Sequence, residues 1–153
     1  MDRANALWHP GTRETADHSL PYCVVAALLD GAVTEASFSA KRVRDPRISA
    51  LLERTTIREN PAFTRAHPRE WPCRIELTLR GGKKRVAEAP YFKGHAQRPL
   101  SDAEIEEKFR ELAGPLLGRR AADAVLAAAW RLEKLSDIGD LLKLIKFAST
   151  PRP

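Results

Sequence analysis

The sequence predicts an α+β fold in which a small antiparallel sheet packs with helices. Three observations support this prediction: apolar residues at helical spacing towards both ends of the chain, one strictly alternating segment between them, and a glycine pair directly after that segment. Helical patterns that flank a block of strands, and do not alternate with strands, are typical of the α+β class. The 153 residues suffice for the core of one domain. We expect that domain over residues 8–148, with flexible ends at 1–7 and 149–153.

The first predicted helix extends from Leu20 to Asp30 and is apolar on most sides, so we expect it to be well buried. Ser19 precedes it and is a preferred N-cap residue. Pro21 falls in the first turn, where its missing N–H costs little. Gly31 follows the helix and can adopt the left-handed conformation that commonly ends one.

A second helix is predicted to begin at Asp45-Pro46, because a capping residue is followed there by proline at the first helical position. Ile48, Leu51 and Leu52 give this helix one apolar face. The next segment, Thr55 to Arg58, has the composition of a short strand, and we expect it to be a third strand of the sheet.

The central strand is predicted over Arg74 to Arg80, where Ile75, Leu77 and Leu79 alternate with polar residues. Gly81-Gly82 then provides a two-residue hairpin turn. The chain is expected to return as a partner strand over residues 83–89.

Three helices are predicted after the sheet. The first begins with the capping box Ser101 to Glu104. The second covers Ala121 to Leu135, and the last begins at Ser136 or Asp137. Some apolar residues of the last two helices are expected to lack cover within the chain, namely members of the set Leu126, Trp130, Leu141, Leu142 and Ile145. Large exposed apolar patches usually mark an interface.

The composition limits the partners that we expect. The chain has 26 Lys and Arg against 20 Asp and Glu, a net charge of +6. Such a surface can attract nucleic acid, an acidic membrane, an anionic metabolite or an acidic protein. Its basic residues are scattered apart from Lys83-Lys84-Arg85, which lies in the predicted hairpin turn. No motif of a nucleic-acid-binding module is present, so we expect no nucleic-acid partner.

No apolar run approaches the roughly 20 residues of a membrane span, and the first ten residues lack the apolar core of a secretory signal. The two cysteines, Cys23 and Cys73, have no CxxC neighbour and are typical of free thiols in a reducing compartment. We therefore expect a cytoplasmic protein without a membrane partner. The spacing of its His, Cys and acidic residues matches no metal site, and no glycine-rich phosphate loop occurs.

A polar run over Thr12 to Tyr22 lies immediately before the first predicted helix. The N-terminus of that helix favours negative charge nearby, because its first backbone N–H groups are unpaired. The run places five ionisable or phenolic side chains within ten residues, namely Arg13, Glu14, Asp17, His18 and Tyr22. Such a group can hold an anion, an imidazole and a phenol at one place.

This run resembles the signature of the MmgE/PrpD family, and most of all that of the 2-methylcitrate dehydratases. The resemblance continues through the apolar helix to Asp30-Gly31 and spans about residues 8–145. Further blocks agree in order and spacing, namely Asp45-Pro46-Arg47-Ile48, the hairpin around Gly81-Gly82, Gly94-His95, Arg98-Pro99-Leu100-Ser101 and Glu107-Lys108-Phe109.

The resemblance implies a lyase of small di- and tricarboxylates that uses neither metal nor organic cofactor, as in propionate catabolism through the methylcitrate cycle. Family members combine a large helical domain with a smaller α+β lid, and their active site lies between the two. This chain corresponds to the lid and the segment after it. The resemblance therefore implies a helical-domain partner chain, or a homodimer, beside the polycarboxylate substrate.

Dehydration of a hydroxy-tricarboxylate requires a base, a cation for the developing charge and an acid for the leaving hydroxyl. By analogy with a lid tyrosine of the family, Tyr22 is expected to reach the substrate as a catalytic residue that donates or orients a proton. His18 is expected to be a catalytic proton carrier. Arg13, Ser19 and His95 are expected to bind substrate.

Structural roles remain open for each of these residues. Tyr22 can be a buried tyrosine with a satisfied hydroxyl, and His18 can hold Asp17 and the start of the helix in place. Arg13 can pair with a neighbouring carboxylate, and His95 can order its loop. Two other functions also remain open: a non-catalytic remnant or carboxylate-binding module, and a basic nucleic-acid-binding domain.

Overall fold

The computed structural model describes residues 7–145. The chain folds into two compact units, Met1–Arg65 and Ala66–Pro153. In the described part, eight helices and two strands confirm the α+β prediction: α1 Arg13–Asp17, α2 Leu20–Asp30, α3 Ala40–Val43, α4 Pro46–Leu52, α5 Pro61–Ala66, β1 Cys73–Thr78, β2 Lys84–Ala89, α6 Asp102–Leu117, α7 Arg119–Ala129 and α8 Ile138–Leu144. Single 3₁₀ turns cover Glu35–Phe38 and Leu132–Lys134. The predicted flexible ends, 1–7 and 149–153, lie outside the described residues except for Leu7.

The core of the first unit forms around α2, which the sequence predicts to be well buried. The prediction holds for one side of the helix only, because Leu20 and Leu28 are 52% and 48% exposed. Side chains from α1, α3 and α4 pack against it, because each of these short helices turns one apolar face inward. The buried cluster comprises Ala16, Tyr22, Val25, Ala26, Val43, Ile48 and Leu52.

Both ends of α2 agree with the prediction. The Ser19 hydroxyl accepts a hydrogen bond from the backbone N–H of Tyr22 at 3.2 Å. At the other end Gly31 adopts φ 78°, and its N–H donates to the carbonyl of Ala27. Glycine suits this position because its left-handed conformation carries no Cβ penalty there.

The prediction of a third strand over Thr55 to Arg58 is wrong. This segment has no regular secondary structure and follows the two-residue turn that ends α4. Thr55 is tied back to that helix, since its N–H donates to Leu52 O and its hydroxyl to Leu51 O. The capping interaction of Thr55 takes precedence over its β-propensity, which is a weak preference that depends on context.

The hairpin of the second unit has a longer turn than predicted. The strands pair antiparallel, and their ladder ends with Thr78 opposite Lys84. Beyond it, Leu79 N–H donates to Lys83 O at 2.9 Å, and Gly82 N–H donates to Leu79 O at 2.9 Å. The loop therefore contains the three residues 80–82. Gly82 has φ 77°, which is the left-handed residue that three-residue hairpin loops require.

Two helices of the second unit, α6 and α8, begin where their capping signals predict, whereas α7 begins at Arg119, two residues before the predicted start. Ser101 and Glu104 form a reciprocal capping box at α6. Of the two candidate caps for the last helix, Asp137 is the one used, and it accepts from Gly139 N–H. The predicted helix over Ala121 to Leu135 is too long at its end, because Arg131 leaves the helical region at φ −129° and ψ 29°.

Apolar side chains remain uncovered on α8 and after α7. Trp130 and Leu142 are 47% and 61% exposed, and Ile145 is also exposed. Leu126 is buried. The expectation that some members of this set lack cover is thus met within the described residues.

Candidate functional site

The polar run forms two consecutive helix starts in the first unit. Thr12 caps α1, where its hydroxyl accepts from Thr15 N–H. His18 ends α1, and Ser19 immediately caps α2. This arrangement leaves the two ends of α1 at the surface and draws the first turn of α2 into the core.

His18 is held by two acceptors and remains open to solvent. Its Nδ1 lies 3.0 Å from the carbonyl oxygen of Glu14 and is hydrogen-bonded to the carboxylate of Asp17. Because both partners only accept, Nδ1 carries the proton and Nε2 is the nitrogen that titrates. The hydrogen bond that Nδ1 donates to Asp17, together with the one to the Glu14 carbonyl, raises the pKa of His18 above its ordinary value of 6.5.

This geometry is that of an aspartate–histidine pair in which the carboxylate orients the imidazole and stabilises its charged form. The His18 side chain is 78% exposed. Nε2 can therefore exchange a proton with a bound molecule, or present a cation to it.

Arg13 lies at the start of α1, and its guanidinium forms an ion pair with Glu35. The side chain is 56% exposed. An exposed pair of this kind is weak and easily exchanged for another carboxylate. Arg13 and His18 are thus the two predicted site residues of the first unit that the structure leaves exposed, at the start of α1 and at its C-cap.

Ser19 and Tyr22 lie in the core and not at that surface. The Ser19 hydroxyl donates to the carbonyl of Leu7 while it caps α2. The Tyr22 hydroxyl donates to the carbonyl of Ser37 at 2.6 Å, and burial raises the pKa of this phenol. Both side chains are fully buried. This is the alternative of a buried, satisfied tyrosine, and the catalytic role of Tyr22 stays a prediction.

His95 lies in the second unit, within a tight loop. Its Nδ1 accepts from Gln97 N–H at 3.1 Å, and its ring stacks on Tyr91 with centroids 4.7 Å apart. Gly94 adopts φ 96°, and its N–H donates to Arg98 O at 2.8 Å. These contacts order the loop. Because Nδ1 accepts here, Nε2 is the protonated nitrogen and can still act as a donor.

One charged cluster was not identified from the sequence. Arg42 donates to both carboxylate oxygens of Asp30, at 3.1 and 2.6 Å, and also bonds to Asp45. The hydrogen bond from Arg47 holds the pKa of Asp45 far below its usual range. Arg42 and Asp45 are each only 14% exposed. The only sequence signal was the position of each aspartate at a predicted helix end.

Arg42 and Asp30 also line a cavity of ≈ 320 Å³, together with Ala32, Thr34, Ala36 and Ser37. The guanidinium is already shared between two carboxylates, so this cavity has no uncompensated positive charge from Arg42. The cluster ties the end of α2 to α3 and to the cap of α4, a role in which it stabilises the first unit.

Within residues 7–145, no three His, Cys, Asp or Glu side chains are grouped so that they could hold a metal ion. None of the described helices has the length and apolar character needed to cross a membrane.

The sequence of residues 2–134 matches the family model described as the MmgE/PrpD C-terminal domain. The chain belongs to the MmgE/PrpD family. This confirms the resemblance that the polar run and the later blocks indicate. The matched region includes α1, the hairpin and the His95 loop, and it ends before α8.

Curated relatives of this MmgE/PrpD chain include two kinds of named protein. Cis-aconitate decarboxylase of Homo sapiens is 32% identical over 146 residues, which cover 93% of this chain and 29% of the relative. The protein of the same name from Mus musculus is 31% identical over 137 residues, which cover 90% of this chain and 28% of the relative. The 2-methylcitrate dehydratase of Cupriavidus necator is 31% identical over 137 residues, which cover 84% of this chain and 27% of the relative. The chain thus spans less than a third of these relatives.

Proposed function

We propose that this chain is the lid part of a lyase that acts on small di- or tricarboxylates and needs a separate helical domain for turnover. The observation that carries the proposal is the match of residues 2–134 to the C-terminal domain of a family whose named relatives are much longer. Those relatives are named for reactions of cis-aconitate and 2-methylcitrate, which are both tricarboxylates.

The Asp17–His18 pair at the end of α1 supports a role in proton transfer. Dehydration takes a proton from the carbon next to a carboxylate, and its electron pair forms the double bond as the hydroxyl leaves as water. Nε2 of His18 is the group we propose for the proton, because Asp17 stabilises the imidazolium that results. Arg13 can exchange Glu35 for a substrate carboxylate, which its planar guanidinium suits.

The other three predicted site residues have different environments. Tyr22 and Ser19 are buried, and His95 belongs to the second unit. Substrate contact by these three residues therefore remains a prediction. The acid for the leaving hydroxyl and further cations are assigned to the helical domain, and this is why the proposal requires one.

Site variants in a reconstituted enzyme test the proposal. With a helical region from a family member added, His18→Gln should lower kcat by about 10²- to 10⁴-fold, as expected for a lost acid–base group. Arg13→Ala should mainly raise KM, and Arg13→Lys should restore part of the affinity. Unchanged kinetics for all three variants in an active mixture would contradict the assigned roles.

A second candidate is a carboxylate-binding module without catalysis. It is favoured by the Tyr22 hydroxyl, which is fully used within the core. Calorimetry of the chain alone with citrate separates the two functions when combined with the activity assay. Saturable binding that Arg13→Ala weakens, without turnover in any mixture, would support the binding module and contradict the lyase.

A further inference from the structure

We propose that β1 pairs with β1 of a second copy of this chain, so that two hairpins join into one four-stranded antiparallel sheet. This inference concerns the second unit alone and is independent of the lyase proposal. Within the residues that the structure describes, the sheet consists of β1 and β2 only. A two-stranded hairpin is marginally stable in water, and a strand added at its edge stabilises it.

The hydrogen-bond pattern shows which residues of β1 face outward. Leu79 and Lys83 form a hydrogen-bonded pair at the end of the ladder. In an antiparallel ladder such pairs recur at every second residue, so Ile75 and Leu77 direct their backbone groups at β2. Arg74, Glu76 and Thr78 lie between these positions. Their N–H and C=O groups are directed away from β2, towards the outer edge.

Only a few registers are compatible with this pattern, because outward residues must oppose outward residues. Arg74 can face Arg74, Glu76 or Thr78 of the second copy, and the registers that leave Arg74 without a partner in β1 overlap three residues of the strand or fewer and form no pair of opposite charges. The first register opposes two arginines. The third brings Glu76 opposite Glu76 of the second copy. Like charges directly opposite one another are destabilising.

The remaining register is self-complementary in charge. Arg74 opposes Glu76 of the second copy, and Glu76 opposes Arg74 of the second copy. Both side chains are exposed on one face of the strand, at 44% and 55%, and within one chain they already bond to each other at 2.7 Å, so the contact would extend an existing exposed ion pair. Since the same two pairs form from either copy, the contact closes with two-fold symmetry and does not propagate.

The opposite face of the strand is apolar in the same register. Ile75 lies on the two-fold axis, directly opposite Ile75 of the second copy. Leu77 opposes Cys73 of the second copy. Ile75 and Leu77 are half-buried in the single chain, so pairing would remove further apolar surface from water.

The other edge of the hairpin is less suited to pairing. The β2 strand begins within Lys83-Lys84-Arg85, and a cluster of basic side chains is a common device against edge-to-edge association. The charge order of β1 and the basic start of β2 together select β1.

A cysteine placed on the two-fold axis tests the register directly. In a Cys23→Ser, Cys73→Ser background, Ile75→Cys should form a cross-linked dimer under mild oxidation. Its Cα atoms would be about 4.5 Å apart, in the range that a disulfide requires. Val86→Cys on the exposed β2 is the matched control and should stay monomeric. A monomeric Ile75→Cys protein, or a cross-link through Val86→Cys, would overturn the proposal.

Charge reversal gives a second test that leaves the cysteines in place. Glu76→Arg places an arginine opposite Arg74 of the other copy at both symmetric positions. It should therefore raise the dimer Kd about tenfold or more in sedimentation equilibrium. Glu88→Arg is the control, because Glu88 also pairs with Arg74 but lies on β2. Its Kd should stay within about threefold of the parent, with circular dichroism confirming that both variants fold. Equal Kd values for the two variants, or a monomer at every concentration, would contradict the proposed edge.

Discussion

His18 is the residue whose environment most clearly favours chemistry. Its Nδ1 is fixed by Asp17 and by the carbonyl of Glu14, while Nε2 faces solvent. These groups raise the folded-state pKa of His18, so the stabilisation from its charged form is fully present below about pH 6.5. That contribution is lost as the pH rises through the folded-state pKa.

Asp17→Asn should therefore lower the pKa of His18, because the largest cause of the upward shift is the hydrogen bond that Nδ1 donates to the Asp17 carboxylate. An NMR titration of the His18 Cε1 proton measures this change. Glu14→Gln is the control, since Glu14 contributes through its backbone carbonyl and should leave the pKa nearly unchanged. Equal pKa values in Asp17→Asn and the parent would contradict the assigned pair.

Tyr22 shows why a pattern of residue types cannot assign a catalytic role. The motif places a phenol in the first turn of α2, but whether it faces a cleft or the core depends on the packing of α1, α3 and α4. In the structure the hydroxyl is used by the carbonyl of Ser37, which is itself buried. The sequence contains no signal for this contact, because it joins residues fifteen positions apart.

Tyr22→Phe should consequently lower the free energy of unfolding by about 1–3 kcal/mol, since it leaves the Ser37 carbonyl without its partner. Urea unfolding followed by circular dichroism measures the loss. Tyr91→Phe is the control in the second unit. It keeps the ring that stacks on His95 and should change stability by less than about 0.5 kcal/mol. A neutral Tyr22→Phe would argue against the structural role.

Among the secondary-structure elements, the helix starts were the features that the sequence predicted best, because they depend on local capping interactions. The starts of α2, α4, α6 and α8 all agree with the predicted caps, because each cap is a contact between residues two or three positions apart. The short α1, α3 and α5 were not predicted. They contain four to six residues, too few for an apolar period to show.

The errors at this scale arose where longer-range contacts compete with local preference. The segment Thr55 to Arg58 has strand-like residues but no ladder partner among the described residues, since Thr55 is held by the end of α4. The hairpin was placed correctly, but the extra residue of its loop depends on the left-handed conformation of Gly82.

Gly82→Ala should weaken the hairpin by about 1–2 kcal/mol, because a residue with a Cβ pays that cost at positive φ. Gly81→Ala is the matched control: neither position has an atom close enough to clash, and only Gly82 has positive φ. Hydrogen exchange at the Leu79 amide, which donates across the turn, should be several-fold faster in Gly82→Ala alone. Equal exchange in the two variants would contradict the described turn.

At the scale of the whole molecule, the family assignment and the exposed apolar residues lead to one expectation. Trp130 and Leu142 should be covered when a helical region binds. The difference in acrylamide quenching between the parent and Trp130→Phe reports on Trp130. Quenching should be efficient in the chain alone and should fall on mixing. Unchanged quenching in a mixture that forms a complex would place the interface elsewhere.

The central claim is that the chain supplies one side of an active site whose other side belongs to a helical domain. The most direct measurement compares conversion of 2-methylcitrate and cis-aconitate by the purified chain, by a family helical region, and by their mixture. We predict product only in the mixture, with a rate that saturates as the chain is titrated. Turnover by the chain alone, or a complex of both parts that is inert towards every tested polycarboxylate, would contradict the account.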